Sequence, residues 1–447
     1  MFSIPNSADP SDPIVVHLAK EYVDEATRQQ IESMCGHPAV QHARIMPDCH
    51  KGSGTCVGFT CCLTPVMSPG LIGGDIGCGV SAVPLPASLM KKRNGTTKLK
   101  RAIHATIPMG NGQQNVHREP IIAEEQYDDF YQECNELALR FAQSYKEKFP
   151  AVNASVDILH CMPTYSREWT KQRCEQLGLS YRKDYLCCMG TLGGGNHFVE
   201  VDCCEEDYLL VVHSGSRALG QAIYRYWSQY VRHRVSGGGA EKVSHTAHAV
   251  DDDDESADFD KNFYLSGEMA YQYIFDMIWA QKYAEMNRLA MLSSVLAELG
   301  LPFDSRQIIQ SVHNYIDFED LIVRKGAIRA HEGEKCIVAL NMRDGILVGE
   351  GLGKEEWNAS AAHGCGRVLP RGVAGRTKGT KKDLEVALQR FKAEMGDVDS
   401  DTITADTIDE RPSAYRDPSI VLEALHDTIS ETSARRYVTV VSAKGGK

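Results

Sequence analysis

Apolar residues recur at three- to four-residue spacing in two long stretches of this chain. Within 119–148 the repeating positions are Tyr127, Phe130, Tyr131, Leu137 and Phe141, after an acidic start. Within 264–298 they are Tyr271, Ile274, Phe275, Ile278, Trp279 and Tyr283, so both stretches are predicted helices. Shorter apolar runs predict strands at Cys56 to Pro65, at Tyr208 to His213 and at Tyr437 to Val441. Cys336 to Asn341 and Ile346 to Val348 read as a hairpin turning at Arg343-Asp344-Gly345. Residues 14–90 look rich in strands and turns, and Ile45 to Gly52 reads as a loop opened by Pro47. There is no internal repeat. The pattern predicts a mixed α/β (α+β) chain, and its length permits two or three ordinary domains or one large one with insertions.

Composition narrows the class. The chain has 447 residues, 43% of them hydrophobic and 24% charged, enough to bury a sizeable core. A net charge of −12 argues against nonspecific coating of nucleic acid, which needs a broad basic surface. It leaves room for a local basic groove, because Asp251, Asp252, Asp253, Asp254, Glu255, Asp258 and Asp260 concentrate the surplus. With Ser236-Gly237-Gly238-Gly239 they predict an exposed acidic insertion at about 235–262. The cysteines number 15, an odd count, and no C-x-x-C occurs, so a zinc ribbon is disfavoured. Ser3 to Pro13 is polar and proline-rich rather than a secretory signal, and no apolar run is long enough to span a membrane. The expected compartment is a reducing cytoplasm.

Candidate chemistry lies in five short motifs: Asp75-Ile76-Gly77-Cys78-Gly79, Asn196-His197, His213-Ser214-Gly215-Ser216-Arg217, His313-Asn314 and His363-Gly364-Cys365-Gly366-Arg367. Ligand-type residues gathered from such distant segments suit a catalytic centre better than a structural zinc knuckle. Cys78 could bridge two metals, since sulfur has spare lone pairs, and thiolate softness alone favours zinc. An isolated histidine is more often a core or surface residue than a ligand, so each motif is weak by itself. Gly193-Gly194-Gly195 could form an anion nest or a plain turn. Gly349-Glu350-Gly351-Leu352-Gly353-Lys354 fails as a P-loop because Glu355 follows the lysine. His213-Ser214-Gly215-Ser216 is not a nucleophile elbow, which disfavours a serine hydrolase. His363 is framed by Ser360-Ala361-Ala362 and Gly364, with Arg367 four residues on, a setting for a histidine that carries a phosphoryl or nucleotidyl group.

In order and combination these motifs resemble the RtcB RNA ligases. The likeness runs from Met46 to Lys444 through Met-Pro-Asp-x-His (46–50), Asp-Ile-Gly-Cys-Gly (75–79), Gly-Asn-His-Phe-x-Glu (195–200), His-Ser-Gly-Ser-Arg (213–217), His-Asn-Tyr (313–315), Arg-Lys-Gly-Ala (324–327), Ser-Ala-x-His-Gly-x-Gly-Arg-Val (360–368), Ala-Tyr-Arg-Asp (414–417) and Lys-Gly (444–445). The resemblance implies one large mixed α/β (α+β) catalytic unit over 1–447, whose strand ends and loops converge on a dinuclear metal pocket. It implies ligation of an RNA 3′-phosphate or 2′,3′-cyclic phosphate to a 5′-hydroxyl, using GTP and two Mn²⁺ ions, in RNA repair or tRNA splicing. It implies that Cys78 bridges the ions, one also held by Asp75 and His197 and the other by His213 and His313, and that His363 becomes guanylylated. Asn196, His197, Phe198, Glu200, His313, Asn314, Met342, Gly364, Gly366, Tyr415 and Lys444 would form the GTP site. Asp48, Arg217 and Arg371 would serve the RNA end. An accessory activator protein is a further partner that the resemblance implies.

The chain departs from the family where most members have Pro-Gly-Ser-Met-Gly-Thr before the nucleophile motif. Here the stretch is Ala339-Leu340-Asn341-Met342-Arg343-Asp344-Gly345, as in a divergent branch, and Ile346 replaces a serine that contacts the nucleotide. Attack by His363 requires a neutral nitrogen, so activity should fall at acidic pH. Two other readings share these residues: a metal-dependent phosphohydrolase acting on cyclic phosphate ends, and a non-catalytic RNA-binding subunit. His363 argues against the first and the complete ligand set against the second.

Overall fold

The computed structural model describes residues 1–6, 9–92, 94–110, 115–153, 156–230, 259–260, 262–369 and 380–446. Arg371 and the acidic run 251–258 lie outside the described residues. The fold is mixed α/β, with two large sheets and a small strand pair.

The first sheet runs β1 (Phe2–Ile4), β2 (Ile14–Val16), β3 (Gln41–His50), β4 (Val57–Cys62), β10 (Ile322–Lys325) and β9 (Asn314–Ile316). The second runs β12 (Lys335–Asn341), β13 (Gly345–Glu350), β16 (Arg435–Ala443), β6 (Phe198–Cys204), β7 (Asp207–Ser214), β5 (Gly79–Leu85) and β8 (Ile309–Val312), with β15 (Asp399–Ser400) beside β16. β11 (Ala327–Arg329) pairs with β14 (Ser360–Ala362). The second sheet curls until its end strands meet: the Ile337 backbone N–H donates to Ser311 Oγ at 2.8 Å, joining β12 to β8. Its inner face carries Val80, Ala82, Leu209, Val211, Ile337, Ile346 and Tyr437. On its outer face Val199, Val201, Leu210 and Val212 pack on Leu99 and Ile103 of the helix Gly95–Thr106 and on Met291, Leu292 and Val295 of the helix Glu268–Leu299.

Glu268–Leu299 is the central element. Its first half packs Tyr271, Ile274, Phe275, Ile278, Trp279 and Tyr283 into the largest core, with Tyr127, Phe130, Tyr131 and Phe141 of the helix Tyr127–Lys148. Its second half serves the curled sheet, so it is apolar on nearly every side, as a helix buried between two layers must be. Burial of side chains such as Ile274 and Ile278, both 0% exposed, stabilises by about 2–3 kcal/mol each. Gly300, left-handed at φ 70°, ends the helix.

The second predicted helix, the Arg343-Asp344-Gly345 hairpin and the strands at Cys56 to Pro65, Tyr208 to His213 and Tyr437 to Val441 are present within a few residues of the expected bounds, whereas the helix expected over 119–148 begins only at Tyr127. The expected loop at Ile45 to Gly52 is instead mostly strand: β3 continues through Pro47 to His50. Proline is tolerated there because the ladder to β4 shifts register between Ile45 and His50. A helix over Glu25–Ser33, capped by Asp24 (Thr27 N–H to Oδ1, 2.9 Å), was not signalled by periodicity. Of the expected insertion at 235–262, residues 235–258 and 261 lie outside the described residues. Phe259 is buried, its ring 4.8 Å from that of His37.

Candidate active site

Strand register brings the ligand-type residues together. β5 starts at Gly79, directly after the Asp75–Cys78 turn, and pairs on one side with β7 (Gly79 with Ser214) and on the other with β8 (Gly79 with Val312). β6 opposes Phe198 to His213. Cys78, His197, His213 and His313 therefore all sit at one mouth of the curled sheet.

Cys78 Sγ is 3.4 Å from His197 Nε2 and 3.2 Å from His213 Nε2. His197 Nε2 lies 2.9 Å from Asp75 Oδ2, and His213 Nε2 lies 3.1 Å from His313 Nε2. Two overlapping triads result, Asp75/Cys78/His197 and Cys78/His213/His313, each with its ligand atoms within 4.8 Å of one another. Cys78 belongs to both. His197 Nδ1 faces the Leu192 carbonyl at 2.8 Å and His213 Nδ1 faces the Asn196 carbonyl at 3.2 Å. Each Nδ1–H thereby donates outward and leaves the Nε2 lone pair for the cluster. Burial, then the neighbouring histidines, holds His213 and His313 well below the usual imidazole range, so both are neutral donors. Burial would raise the Asp75 carboxyl, but His197, Cys78 and Arg217 outweigh it and bring it to about 2. Such a convergent set of lone pairs and anions fits divalent cations.

Buried polar residues hold this geometry. Arg288, 0% exposed on the central helix, donates to Gly77 O at 2.7 Å, Ser214 O at 3.1 Å and Ser81 Oγ at 2.9 Å. Asn287 beside it accepts from Gly190 N–H and donates to Gly215 O, at 2.7 and 3.1 Å. Gly215 is required by close approach: a Cβ there would lie 2.0 Å from Asp75 Oδ1. Asn314 donates to the Asp75 carbonyl at 3.3 Å and accepts from Gly326 N–H at 2.9 Å, so its side chain supports the Asp75–Cys78 turn.

His363 follows β14, and its ring centroid is 4.6 Å from that of His313. Asp48, fully buried, accepts from the His363 and Gly364 backbone N–H groups, both at 3.1 Å, and its Oδ2 lies 2.6 Å from His363 Nδ1. Gly366 (φ 73°) leaves room for the Asp48 carbonyl, which a Cβ would meet at 2.2 Å. Arg416, buried beneath, donates to Pro47 O at 3.1 Å and Cys365 O at 3.3 Å, joining β3 to the His363 loop.

A third group centres on Glu410, which is 3% exposed. Its Oε1 takes Arg367 Nη1 at 3.0 Å, and its Oε2 takes Tyr415 OH at 2.7 Å and Lys444 Nζ at 2.9 Å. The Lys444-Gly445 segment fits because Gly445 runs against the backbones of Gly110 and Gly193, each within 2.2 Å of a would-be Cβ. The Lys444 charge opposes the burial shift of Glu200 and adds to the lowering of His213. Phe198 stacks edgewise on His213 at 5.2 Å, and Asn196 adjoins it.

Not every expected residue reaches this mouth in the same way. Arg217, at φ 57° and ψ −139°, lays its guanidinium across Gly193, so the triglycine turn is covered by a side chain at that point. Met342 packs with Phe391, Met395 and Ile408 in a separate apolar cluster. Sequence reading missed Glu410, Arg416, Arg288 and Asn287. A carboxylate in Thr407-Ile408-Asp409-Glu410 and two polar residues inside a helical stripe give no local signal for what they meet.

A family model described as tRNA-splicing ligase RtcB matches residues 30–445. The RNA-splicing ligase RtcB of Escherichia coli (strain K12) is 26% identical over 437 residues, with 94% of each chain covered. The tRNA-splicing ligase RtcB of Methanococcus maripaludis is 26% identical over 473 residues, covering 94% of this chain and 91% of its own. That of Pyrobaculum aerophilum is 23% identical over 485 residues, covering 95% and 94%.

Proposed function

This chain belongs to the RtcB family of tRNA-splicing ligases and is an RNA ligase, and on that premise we propose that it joins RNA 3′-phosphate ends to 5′-hydroxyl ends through a guanylylated His363. The observation that carries the reading is the sulfur of Cys78 shared by two ligand triads, with the His363 ring beside His313. In this reading Asp75, Cys78 and His197 hold one metal ion and Cys78, His213 and His313 the other. We assign both as Mn²⁺; when bound they neutralise charge developing on the phosphate oxygens.

In this reading the imidazole proton sits on Nδ1, on the side of the Asp48 carboxylate, and Nε2 carries the lone pair. Nε2 attacks the α-phosphorus of GTP; the P–N bond forms as the bond to pyrophosphate breaks. An oxygen of the RNA 3′-phosphate then attacks that phosphorus, and the P–N bond breaks to return neutral His363. Finally the 5′-hydroxyl loses its proton and attacks the RNA phosphorus, and GMP leaves. A 2′,3′-cyclic end enters the same sequence once water opens it to a 3′-phosphate. Asn196, Phe198, Glu200, Tyr415 and Lys444 would line the GTP site, with Gly364 and Gly366 giving the phosphates close access to backbone N–H groups. Arg217 and Arg371 would meet the RNA end, while Asp48, wholly buried, acts on His363 instead.

The reading extends to a cytoplasmic enzyme. It is supported by the absence of disulfides among the described cysteines and by the lack of any described helix long and apolar enough to cross a membrane. The decisive test is incubation with α-phosphate-labelled GTP and Mn²⁺. A covalently labelled protein band is expected, and its absence with active GTP and metal-loaded protein would refute the guanylylated intermediate.

A further inference from the structure

One imidazole beside the nucleophile loop is not among the groups that hold metal or carry GMP. His50 closes β3, two residues after Asp48, and is the histidine of the Met-Pro-Asp-x-His stretch. Its Nδ1 lies 2.9 Å from the Asp48 carbonyl oxygen. The same carbonyl packs against Gly366, where a Cβ would meet it at 2.2 Å. The ring therefore hangs from a backbone group that touches the His363–Arg367 loop, and the Asp48 carboxylate takes the N–H groups of that loop.

A carbonyl oxygen only accepts, so Nδ1 carries the proton and Nε2 carries a lone pair. Nε2 has no hydrogen-bond partner among the described residues, and the ring is partly exposed. Removal from water lowers this imidazole to about 4; the Asp48 carbonyl and carboxylate oppose the shift, and His363 and Arg367 add to it. The ring is thus neutral at pH 7 in the empty site, and an RNA phosphate beside it would make it more basic.

The neighbouring lone pairs are committed elsewhere. His197, His213 and His313 turn Nε2 into the two triads, to one of which Asp75 belongs. Glu410 is held by Arg367, Tyr415 and Lys444, and Asp48 is wholly buried.

The three steps of the reaction differ in their need for a base. Guanylylation is attack by a neutral imidazole. Transfer to RNA is attack by a phosphate oxygen that is already an anion. Only the 5′-hydroxyl enters as a neutral group that must lose a proton. In-line displacement puts it on the side of the RNA phosphorus opposite the departing GMP, and so away from His363, which has just released that GMP.

We propose, on the ligase reading above, that His50 is a catalytic residue of the final step: its Nε2 takes the proton of the 5′-hydroxyl as that oxygen bonds to the RNA phosphorus and the bond from phosphorus to GMP breaks. The imidazolium then returns its proton to water.

RNA whose 3′-phosphate is already joined to GMP isolates this step. With metal-loaded full-length protein, His50→Gln, which keeps an N–H for the Asp48 carbonyl, should ligate it about a hundredfold or more slowly. Labelling by GTP should stay within about threefold of wild type. The pH profile of the final step separates a base from a brace. Wild type should be flat between about pH 6.5 and 8.5, above the titration of His50, whereas the variant, left with hydroxide, should gain about tenfold per pH unit. A final step in the variant within about threefold of wild type overturns the assignment. So does an equal loss of labelling and ligation, or a variant profile as flat as that of wild type. A wild-type final step that itself gains tenfold per pH unit overturns it too, and that measurement needs no variant to fold. Wild-type protein that forms no guanylate and joins no pre-activated RNA refutes the ligase reading, and the role of His50 with it.

Discussion

Asp48 Oδ2 lies 2.6 Å from His363 Nδ1, and the same oxygen accepts the backbone N–H groups of His363 and Gly364. One buried carboxylate thus fixes the loop that carries the imidazole and lies against its Nδ1. Asp48→Asn preserves volume and an acceptor oxygen but removes the negative charge beside Nδ1. Labelling of the protein by GTP should slow by about a hundredfold or more, the scale of a misassigned proton in acid–base catalysis, with the fold intact. Single-turnover labelling measures this, and a change below about threefold would remove Asp48 from the reaction.

Cys78 and Cys365 are both buried thiols in glycine turns, yet their surroundings differ. Cys78 lies within 3.4 Å of two imidazole nitrogens and belongs to both triads. Cys365 packs in the apolar cluster with Met46, Ala361 and Leu340, and burial pushes its thiol up, out of reach of ionisation. Cys78→Ala should lose both equivalents of metal and Cys365→Ala neither, as elemental analysis will report. Two ions retained by Cys78→Ala would rule out the bridge.

Glu410 gathers Arg367, Lys444 and Tyr415 on one buried carboxylate. Removing its charge takes away the anion that two buried cations share, a loss of about 3–5 kcal/mol. Glu410→Gln should show it in urea denaturation. Adding Lys444→Met should cost less than the sum of the two single changes, because the variants share one interaction. Strict additivity would show that the cluster is not coupled.

The metal-type residues were legible in sequence because each stands beside a glycine, an asparagine or a serine near a strand end, where local pattern and geometry coincide. His213 is the clearest case: the apolar run before it is a strand, and its register against β5 puts it beside Cys78. What stayed hidden depends on contacts between distant segments. Pro47 signalled a loop, but the pairing of β3 with β4 carries the strand through it by a register shift. Glu410 meets Lys444 only because β16 returns its end to the mouth of the curled sheet. Arg288 occupies a position that periodicity assigns to the core, and only the fold shows three acceptors waiting there.

Acid should weaken the fold before it protonates the carboxylates. His17 is buried and stacked on Trp357 at 3.6 Å, and burial lowers its imidazole from 6.5 to about 4. Burial also depresses His37. Between about pH 4 and 6.5 the unfolded chain binds the proton that folded His17 refuses, so stability is greatest above pH 6.5 and falls as pH drops through that window. At pH 5 the loss from His17 is roughly 2 kcal/mol. His17→Phe, which keeps a ring against Trp357, should lower the difference in denaturation free energy between pH 7 and pH 5 by that amount. An unchanged difference would mean that His17 does not titrate with folding.

The chemistry of His363 makes the sharpest demand. Its attack creates a P–N bond, and a histidine phosphoramidate is labile to acid and stable to alkali, unlike a serine or threonine ester. The adduct formed with labelled GTP should therefore survive base and be lost in acid. His363→Ala should remove both the adduct and ligation of a 3′-phosphate end. It should still fold and bind two metal ions, because none of the atoms in the two triads belongs to residue 363. Its activity should recover in part when the RNA is supplied with its 3′-phosphate already joined to GMP, since the missing step is then bypassed and only attack by the 5′-hydroxyl remains. A covalent guanylate on His363→Ala would place the nucleophile elsewhere. Failure of the pre-activated RNA to restore ligation, with metal content normal, would show that the imidazole also acts in the final step.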